Sequence, residues 1–165
     1  MGHIEYFNNE ERCKELLKEL RHWKGTLFQY STNGKAYPKI SADCVSFPIN
    51  IFKRMGLIAM DFDTPPYCSR PTGIYELKKI YKGMDEQIPG LECVWKREEF
   101  EWNPKNVKCG DILVCSTGRA THHLLIAESD KYGWDCWPGT GVRKTELCQK
   151  QIVRRVKRLY RFFEI

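Results

Sequence analysis

The stretch Ala42-Asp43-Cys44-Val45-Ser46-Phe47 places one cysteine directly after an acidic residue and before an apolar run that continues to Met55. An aspartate at a helix start accepts hydrogen bonds from the first free backbone N–H groups, so Asp43 predicts a helix beginning beside Cys44. A thiol there lies at the positive end of the helix dipole, where a thiolate is favoured. Cys44 is therefore a candidate nucleophile. The alternative is a buried and inert thiol, which is the more usual state of a free cysteine.

The composition around this stretch is that of a globular protein. The chain has 165 residues, of which 42% are hydrophobic and 13% aromatic, and we expect a single domain over 1–165. No run approaches the roughly 18 apolar residues of a membrane-spanning helix. The N-terminus also lacks the basic and apolar segments of a signal peptide. We therefore expect synthesis in the cytoplasm, with any export by another route.

The cysteines are scattered along the chain. None of the eight lies within five residues of another: they stand at 13, 44, 68, 93, 109, 115, 136 and 148. Zinc sites normally contain a close pair such as C-x2-C, and disulfide frameworks belong to secreted chains. The spacing therefore predicts no metal site and no cofactor, and every cysteine except Cys44 is interpreted as a core thiol.

The net charge of +6 favours polyanionic surroundings, either nucleic acid or an anionic cell wall. Basic residues are concentrated between Lys150 and Arg161. They offer a nucleic-acid contact as one hypothesis, although a solvated face beside a core stripe is the commoner explanation of such a run.

The first part of the chain has helical periodicity and capping signals. Three helices are predicted, over 8–24, 44–55 and 72–82. A capping box at Asn8 and Glu11 begins the first of them. Pro48 lies beyond the first turn of a helix that starts at Cys44, so we expect a distortion there.

From residue 107 the pattern changes to short apolar runs separated by turns, which is typical of strands. The predicted strands are Ile112–Cys115, Thr121–Glu128 and Tyr132–Trp137. The segment 83–106 has no clear assignment, and the tail over 152–163 fits either a helical stripe or a closing strand. Helices followed by antiparallel strands indicate an α+β domain.

A cysteine on an early helix and a histidine on a later strand form the arrangement of cysteine hydrolases. His122 and His123 fall on the second predicted strand, and side chains alternate along a strand, so only one of them can face Cys44. Asp135 stands among large apolar residues on the third strand. A buried carboxylate needs a partner, and a neighbouring histidine would supply one.

Four blocks carry a further signal, and they are Trp23–Phe28, Ala42–Phe47, Cys109–Leu113 with His123–Ile126, and Asp135–Val142. In this order they resemble the W-x-G-T-P-Y, D-C-S-G-F, G-D-L with H-V-G-I, and H-A-S-P-G-T-G-V motifs of the NlpC/P60 superfamily. These are papain-like cell-wall cysteine peptidases, and the likeness is strongest to short phage-encoded members. The blocks cover about residues 20–145.

The resemblance implies a papain-like α+β fold in which N-terminal helices pack on an antiparallel sheet and the nucleophilic cysteine begins a helix. It assigns Cys44 as the nucleophile and His123, rather than His122, as the general base. Asp135 stands where the family usually has a histidine that orients the base.

Two departures from the family pattern concern substrate binding. Phe28 occupies the position of a family tyrosine near the oxyanion, so that role is either lost or taken by nearby Tyr30. Val45 replaces a serine that in some members helps to hold the substrate's amine, whereas Asp43 matches the acid that contacts that amine.

The resemblance implies cleavage of peptide bonds in peptidoglycan stem peptides, with an anionic cell-wall polymer as a further partner. It also implies a virion-associated protein or one released to the cell wall. The alternative is a catalytically inactive phage or cell-surface module with the same fold. A third hypothesis, nucleic-acid binding through the basic tail, predicts affinity that falls steeply with salt.

Overall fold

Helices and one large antiparallel sheet make up the computed structural model of the chain, which describes residues 3–30, 35–64, 74–116 and 122–165, without the side chains of 74–78 and 122. The helices are α1 (Glu10–Trp23), α2 (Ser46–Arg54), α3 (Ile74–Glu86) and α4 (Lys150–Val153). The strands are β1 (Leu27–Phe28), β2 (Ser41–Ala42), β3 (Leu91–Lys96), β4 (Ile112–Ser116), β5 (His122–Ala127), β6 (Tyr132–Trp137), β7 (Gly141–Glu146) and β8 (Val156–Phe162).

The large sheet has the strand order β3-β8-β4-β5-β6-β7, and every neighbouring pair is antiparallel. The α+β prediction is confirmed. Strand β8 lies between β3 and β4, so the C-terminal segment is an interior strand beside the edge strand β3. The tail is therefore a single helical turn followed by a strand, and each of the two interpretations of it is correct in part.

Helix α1 forms at the predicted place because its apolar residues share one face. Leu16, Leu20 and Trp23 are fully buried. The cap is Asn9 rather than Asn8, since the Asn9 side chain accepts hydrogen bonds from the backbone N–H groups of Glu11 and Arg12. Either asparagine fits the capping pattern, and the residue with extended backbone at the helix start takes the role.

Helix α2 begins at Ser46, two residues later than predicted. This start puts Pro48 in the first turn, where backbone N–H groups have no acceptor within the helix. The missing N–H of proline is tolerated there. The N–H groups of Phe47 and Ile49 donate to the carbonyls of Asp43 and Val45 at 3.1 and 3.4 Å, whereas Pro48 between them has no N–H to donate. The helical hydrogen bonding is therefore interrupted beside Cys44, as predicted.

The remaining elements differ from the predictions at their ends. Helix α3 continues to Glu86, and its predicted start at Thr72 lies outside the described residues. Strand β6 has the predicted bounds. Strands β3 and β7 were missed, because charged residues interrupt their apolar alternation and hide the period of two.

Alternation along β5 divides the core between the two faces of the sheet. Leu124 and Ile126 pack with α1 and α2 on one side, which we call the α2 face. Leu125 and Ala127 pack on the other side, where Ile152 of α4 also lies, and we call this the α4 face. The two faces decide which site residues meet.

The cysteines that the structure describes form no disulfide, but they are not uniformly core residues. Cys115 and Cys136 are buried as predicted, whereas Cys148 is exposed. Three others are partly exposed, at 13, 93 and 109. The prediction of a core thiol was wrong for Cys148, and Cys68 lies outside the described residues.

No helix among the described residues combines the length and apolar character that crossing a membrane requires.

Candidate active site

The turn that carries Cys44 is held by reciprocal hydrogen bonds between Asp43 and Ser46. The Asp43 carboxylate accepts hydrogen bonds from the backbone N–H groups of Val45 (3.0 Å) and Ser46 (2.7 Å). The Ser46 hydroxyl accepts one from the Asp43 N–H (2.8 Å). Asp43 and Ser46 are completely buried. This is a capping box with the acid and the serine exchanged, and it fixes Cys44 immediately before α2.

The β1–β2 pair brings the first sequence block beside this turn. Phe28 is the register partner of Ala42, and the Gln29 N–H donates to the Ala42 carbonyl at 2.8 Å. The Tyr30 ring lies edge-on to Phe28 with a centroid distance of 5.0 Å and is 47% exposed. Tyr30 is therefore carried by the segment that runs next to the cysteine turn, and its role at the oxyanion stays a prediction.

The Cys44 thiol does not have the character that its place before a helix suggested. It is 7% exposed. Burial raises the pKa of this thiol well above its usual range, and the nearby Asp43 carboxylate and Cys136 raise it further. The resting group is therefore a protonated thiol at neutral pH. An acidic thiol was expected for an exposed helix end, whereas burial here favours the neutral thiol.

His123 and Asp135 form a buried pair on neighbouring strands. His123 Nε2 lies 2.8 Å from Asp135 Oδ2, and the two side chains are 7% and 3% exposed. Arg143 Nε donates to the other carboxylate oxygen at 3.1 Å. The Trp137 ring packs edge-on against the imidazole at 5.0 Å. The expected partner of the buried carboxylate is therefore a histidine, joined by an arginine.

This pair and Cys44 pack on different faces of the sheet, although the Asp135 carboxylate is near enough to raise the pKa of the Cys44 thiol. Cys44 packs in the cluster on the α2 face, where the Cys136 thiol donates to the Ala42 carbonyl at 3.3 Å. His123 and Asp135 line a cavity on the α4 face together with Leu125. Side chains alternate along a strand, so His123 and Asp135 point away from the face that their neighbours Leu124 and Cys136 share with α2. The structure brings together two members of the set Cys44, His123 and Asp135, and the set as a whole stays a prediction.

Sequence reasoning missed Arg143. The residue is the register partner of Asp135 across the β6–β7 pair. The sequence Pro138-Gly139-Thr140-Gly141 has the composition of a turn, so assigning β7 as a strand after it would have placed an arginine beside the buried acid. The sequence did not indicate the β6–β7 hairpin, and without that hairpin nothing places Arg143 beside Asp135.

In the described part of the chain, His, Cys, Asp and Glu side chains form no group of three or more that would hold a metal ion.

Neither a family model nor a curated protein matches this sequence. Among solved structures, the chain is similar to a lipoprotein-like protein of the NLP/P60 family from Staphylococcus aureus subsp. aureus Mu50, with a TM-score of 0.60 and 13% sequence identity. The match covers 100% of this chain and 45% of that protein, so the chain spans less than half of the neighbour's length. The chain therefore has the fold of an NLP/P60 family protein.

Proposed function

We propose that this chain is a cysteine hydrolase that cleaves peptide bonds of peptidoglycan stem peptides, with Cys44 as its nucleophile. The observation that carries the proposal is the buried Asp43–Ser46 capping box, which fixes a cysteine at the start of a helix. The fold shared with an NLP/P60 family protein supports the substrate class.

The reaction would proceed through a thioester. The Cys44 sulfur attacks the carbonyl carbon while its proton passes to a histidine, and the backbone N–H of Cys44 donates to the oxyanion. The histidine then gives the proton to the leaving amine as the C–N bond breaks. Water attacks the thioester carbon, which yields the carboxylic acid and restores the thiol. The raised pKa of Cys44 means that the base must take the proton when substrate binds.

The division between the two faces of the sheet bears on which histidine acts as the general base. The resemblance assigns His123, oriented by Asp135. In the structure, however, His123 lines the cavity on the α4 face with Leu125, and the β5 residues that share a core cluster with Cys44 are Leu124 and Ile126. We therefore propose His122 as the base.

Digestion of purified peptidoglycan by wild type and by Cys44→Ala tests the nucleophile. Mass spectrometry of the soluble products should show cleaved stem peptides with wild type and only background with the variant. Cys148→Ala removes an exposed thiol and should leave activity unchanged. Products released equally by Cys44→Ala would rule out this nucleophile.

The same assay applied to His122→Ala and His123→Ala tests the base. A general base contributes about 10²- to 10⁴-fold to the rate, and we expect that loss in His122→Ala. His123→Ala leaves a buried carboxylate with one partner fewer, so its melting temperature is measured alongside its activity. A folded His123→Ala variant that loses activity while His122→Ala retains it would favour the His123–Asp135 arrangement instead.

A catalytically inactive module of the same fold is the second candidate function. The burial and raised pKa of Cys44 favour it, as does the place of the His123–Asp135 pair on the α4 face. It predicts that wild type releases no peptides from any peptidoglycan preparation while still binding the polymer in a pull-down.

A further inference from the structure

We propose that the cavity on the α4 face binds a compact oxyanion, a carboxylate or a phosphate group, through Arg143 and Arg155. The proposal does not depend on Cys44, which lies on the α2 face, or on the hydrolase assignment. The cavity has a volume of about 190 Å³. This is below the ~300–1,000 Å³ of pockets for drug-sized ligands, so a small ligand or one group of a larger ligand fits it.

The acid on the floor of the cavity is held in an ion pair with Arg143. Both oxygens of the Asp135 carboxylate are engaged, one by His123 Nε2 at 2.8 Å and the other by Arg143 Nε at 3.1 Å. The charge of Arg143 offsets that of Asp135, so the net positive charge of the cavity lining comes from Arg155.

The two guanidinium groups keep donors for a ligand. Arg143 packs over the Trp137 ring, 5.4 Å from its centroid, and its contact with Asp135 uses only Nε. Arg155 is exposed and lines the same cavity. Over the described residues, neither the Nη groups of Arg143 nor the guanidinium of Arg155 contacts an acceptor. Guanidinium forks suit the geometry of carboxylate and phosphate oxygens.

The rim of the cavity adds positive charge. Gln151 and Arg155 also line an adjoining groove that includes Lys150 and Arg154. These cations come from α4 and the residues after it, so the groove leads an anion toward the cavity. The cavity and the groove together present one amide and several cations, and the carboxylate of Asp135 is already paired. These features suit an oxyanion and not a cation.

Isothermal titration calorimetry on the full chain tests the proposal, with inorganic phosphate and succinate as separate probes at constant ionic strength. We expect saturable binding of one equivalent of at least one probe. Affinity should fall about tenfold or more in Arg155→Gln, which removes one charged donor pair and leaves Asp135 untouched. Arg143→Gln should weaken binding as well. The matched control is Arg21→Gln, which removes the same charge from an exposed position on α1.

The outcomes separate the sources of the oxyanion and the two proposals. Tighter binding of phosphate identifies a phosphate ligand, and tighter binding of succinate a carboxylate ligand. No saturable binding of either probe, or unchanged affinity in Arg155→Gln, would overturn the site. Cys44→Ala should bind like wild type, so loss of hydrolysis and loss of anion binding are independent results.

Discussion

The chemistry of Cys44 is set by a competition between burial and the helix start. A cysteine before a capped helix is expected to be acidic, yet the pKa of the Cys44 thiol is raised because burial disfavours the thiolate and the neighbouring Asp43 carboxylate repels it. The sequence therefore identified Cys44 as a distinctive residue but predicted a thiolate where the structure favours a thiol.

This raised pKa predicts slow alkylation of Cys44 by a small neutral probe. A free cysteine has a pKa of about 8.5, and a higher value leaves a smaller thiolate fraction at pH 7. Since only the thiolate reacts, the iodoacetamide rate at Cys44 should rise about tenfold per pH unit through and beyond pH 9. Peptide mapping at several pH values measures this, with exposed Cys148 as the internal comparison. A rate at Cys44 that levels off near neutral pH would contradict the raised pKa.

The pairing of Asp135 was predictable, and its face was not. A carboxylate among large apolar residues requires a partner, and His123 meets that requirement. Which of two adjacent histidines faces the cysteine depends on which parity of β5 packs against α2. That parity is decided by the packing of Leu124 and Ile126 in the core cluster, and it cannot be read from the two histidines themselves.

At the scale of elements, the first and last sequence blocks meet in the structure. The Gly25 N–H donates to the Val142 carbonyl at 3.1 Å, and the Val142 N–H donates to the Thr26 carbonyl at 2.8 Å. The start of β7 thus packs against the chain entering β1. Strand β1 in turn pairs with β2, which ends at Ala42 just before the cysteine turn. Gly141 makes this approach possible, because a Cβ there would lie 2.0 Å from the Thr26 oxygen.

Gly141→Ala should therefore destabilise the fold more than Gly139→Ala. Both glycines have positive φ, +72° and +85°, so each alanine adds strain of about 1–2 kcal/mol. Nothing lies within 4 Å of a Cβ at Gly139, whereas Gly141→Ala also meets backbone. Such overpacking adds about 1–3 kcal/mol. Urea denaturation measures the difference, and equal unfolding free energies for the two variants would show that this contact does not matter.

Elements with strong periodicity were predictable, and elements that depend on tertiary pairing were not. Helix α1 has a clear apolar stripe and a cap, and β6 is a compact apolar run between turns. Strand β3 alternates only partly, and its place at the edge of the sheet is fixed by pairing with β8 from the far end of the chain. Such long-range pairing leaves no local pattern in β3.

At the scale of the whole molecule, the sheet separates two groups of candidate functional residues. The α2 face carries the capped cysteine, and the α4 face carries a histidine, an aspartate and two arginines around a cavity. The order of helices and strands predicted the class of fold. It did not predict this division, because the side of β5 and β6 that packs against α2 is decided by the core clusters of the folded chain.

The most direct test of the hydrolase proposal is covalent trapping with a stem-peptide analogue that carries a chloromethyl ketone. Such a reagent binds as substrate does before it alkylates the active thiol, so it measures catalytic competence rather than exposure. Intact-mass spectrometry should show one added equivalent, and peptide mapping should locate it on Cys44. Label on Cys115 or Cys148 instead, or spread evenly over the cysteines, would contradict the account.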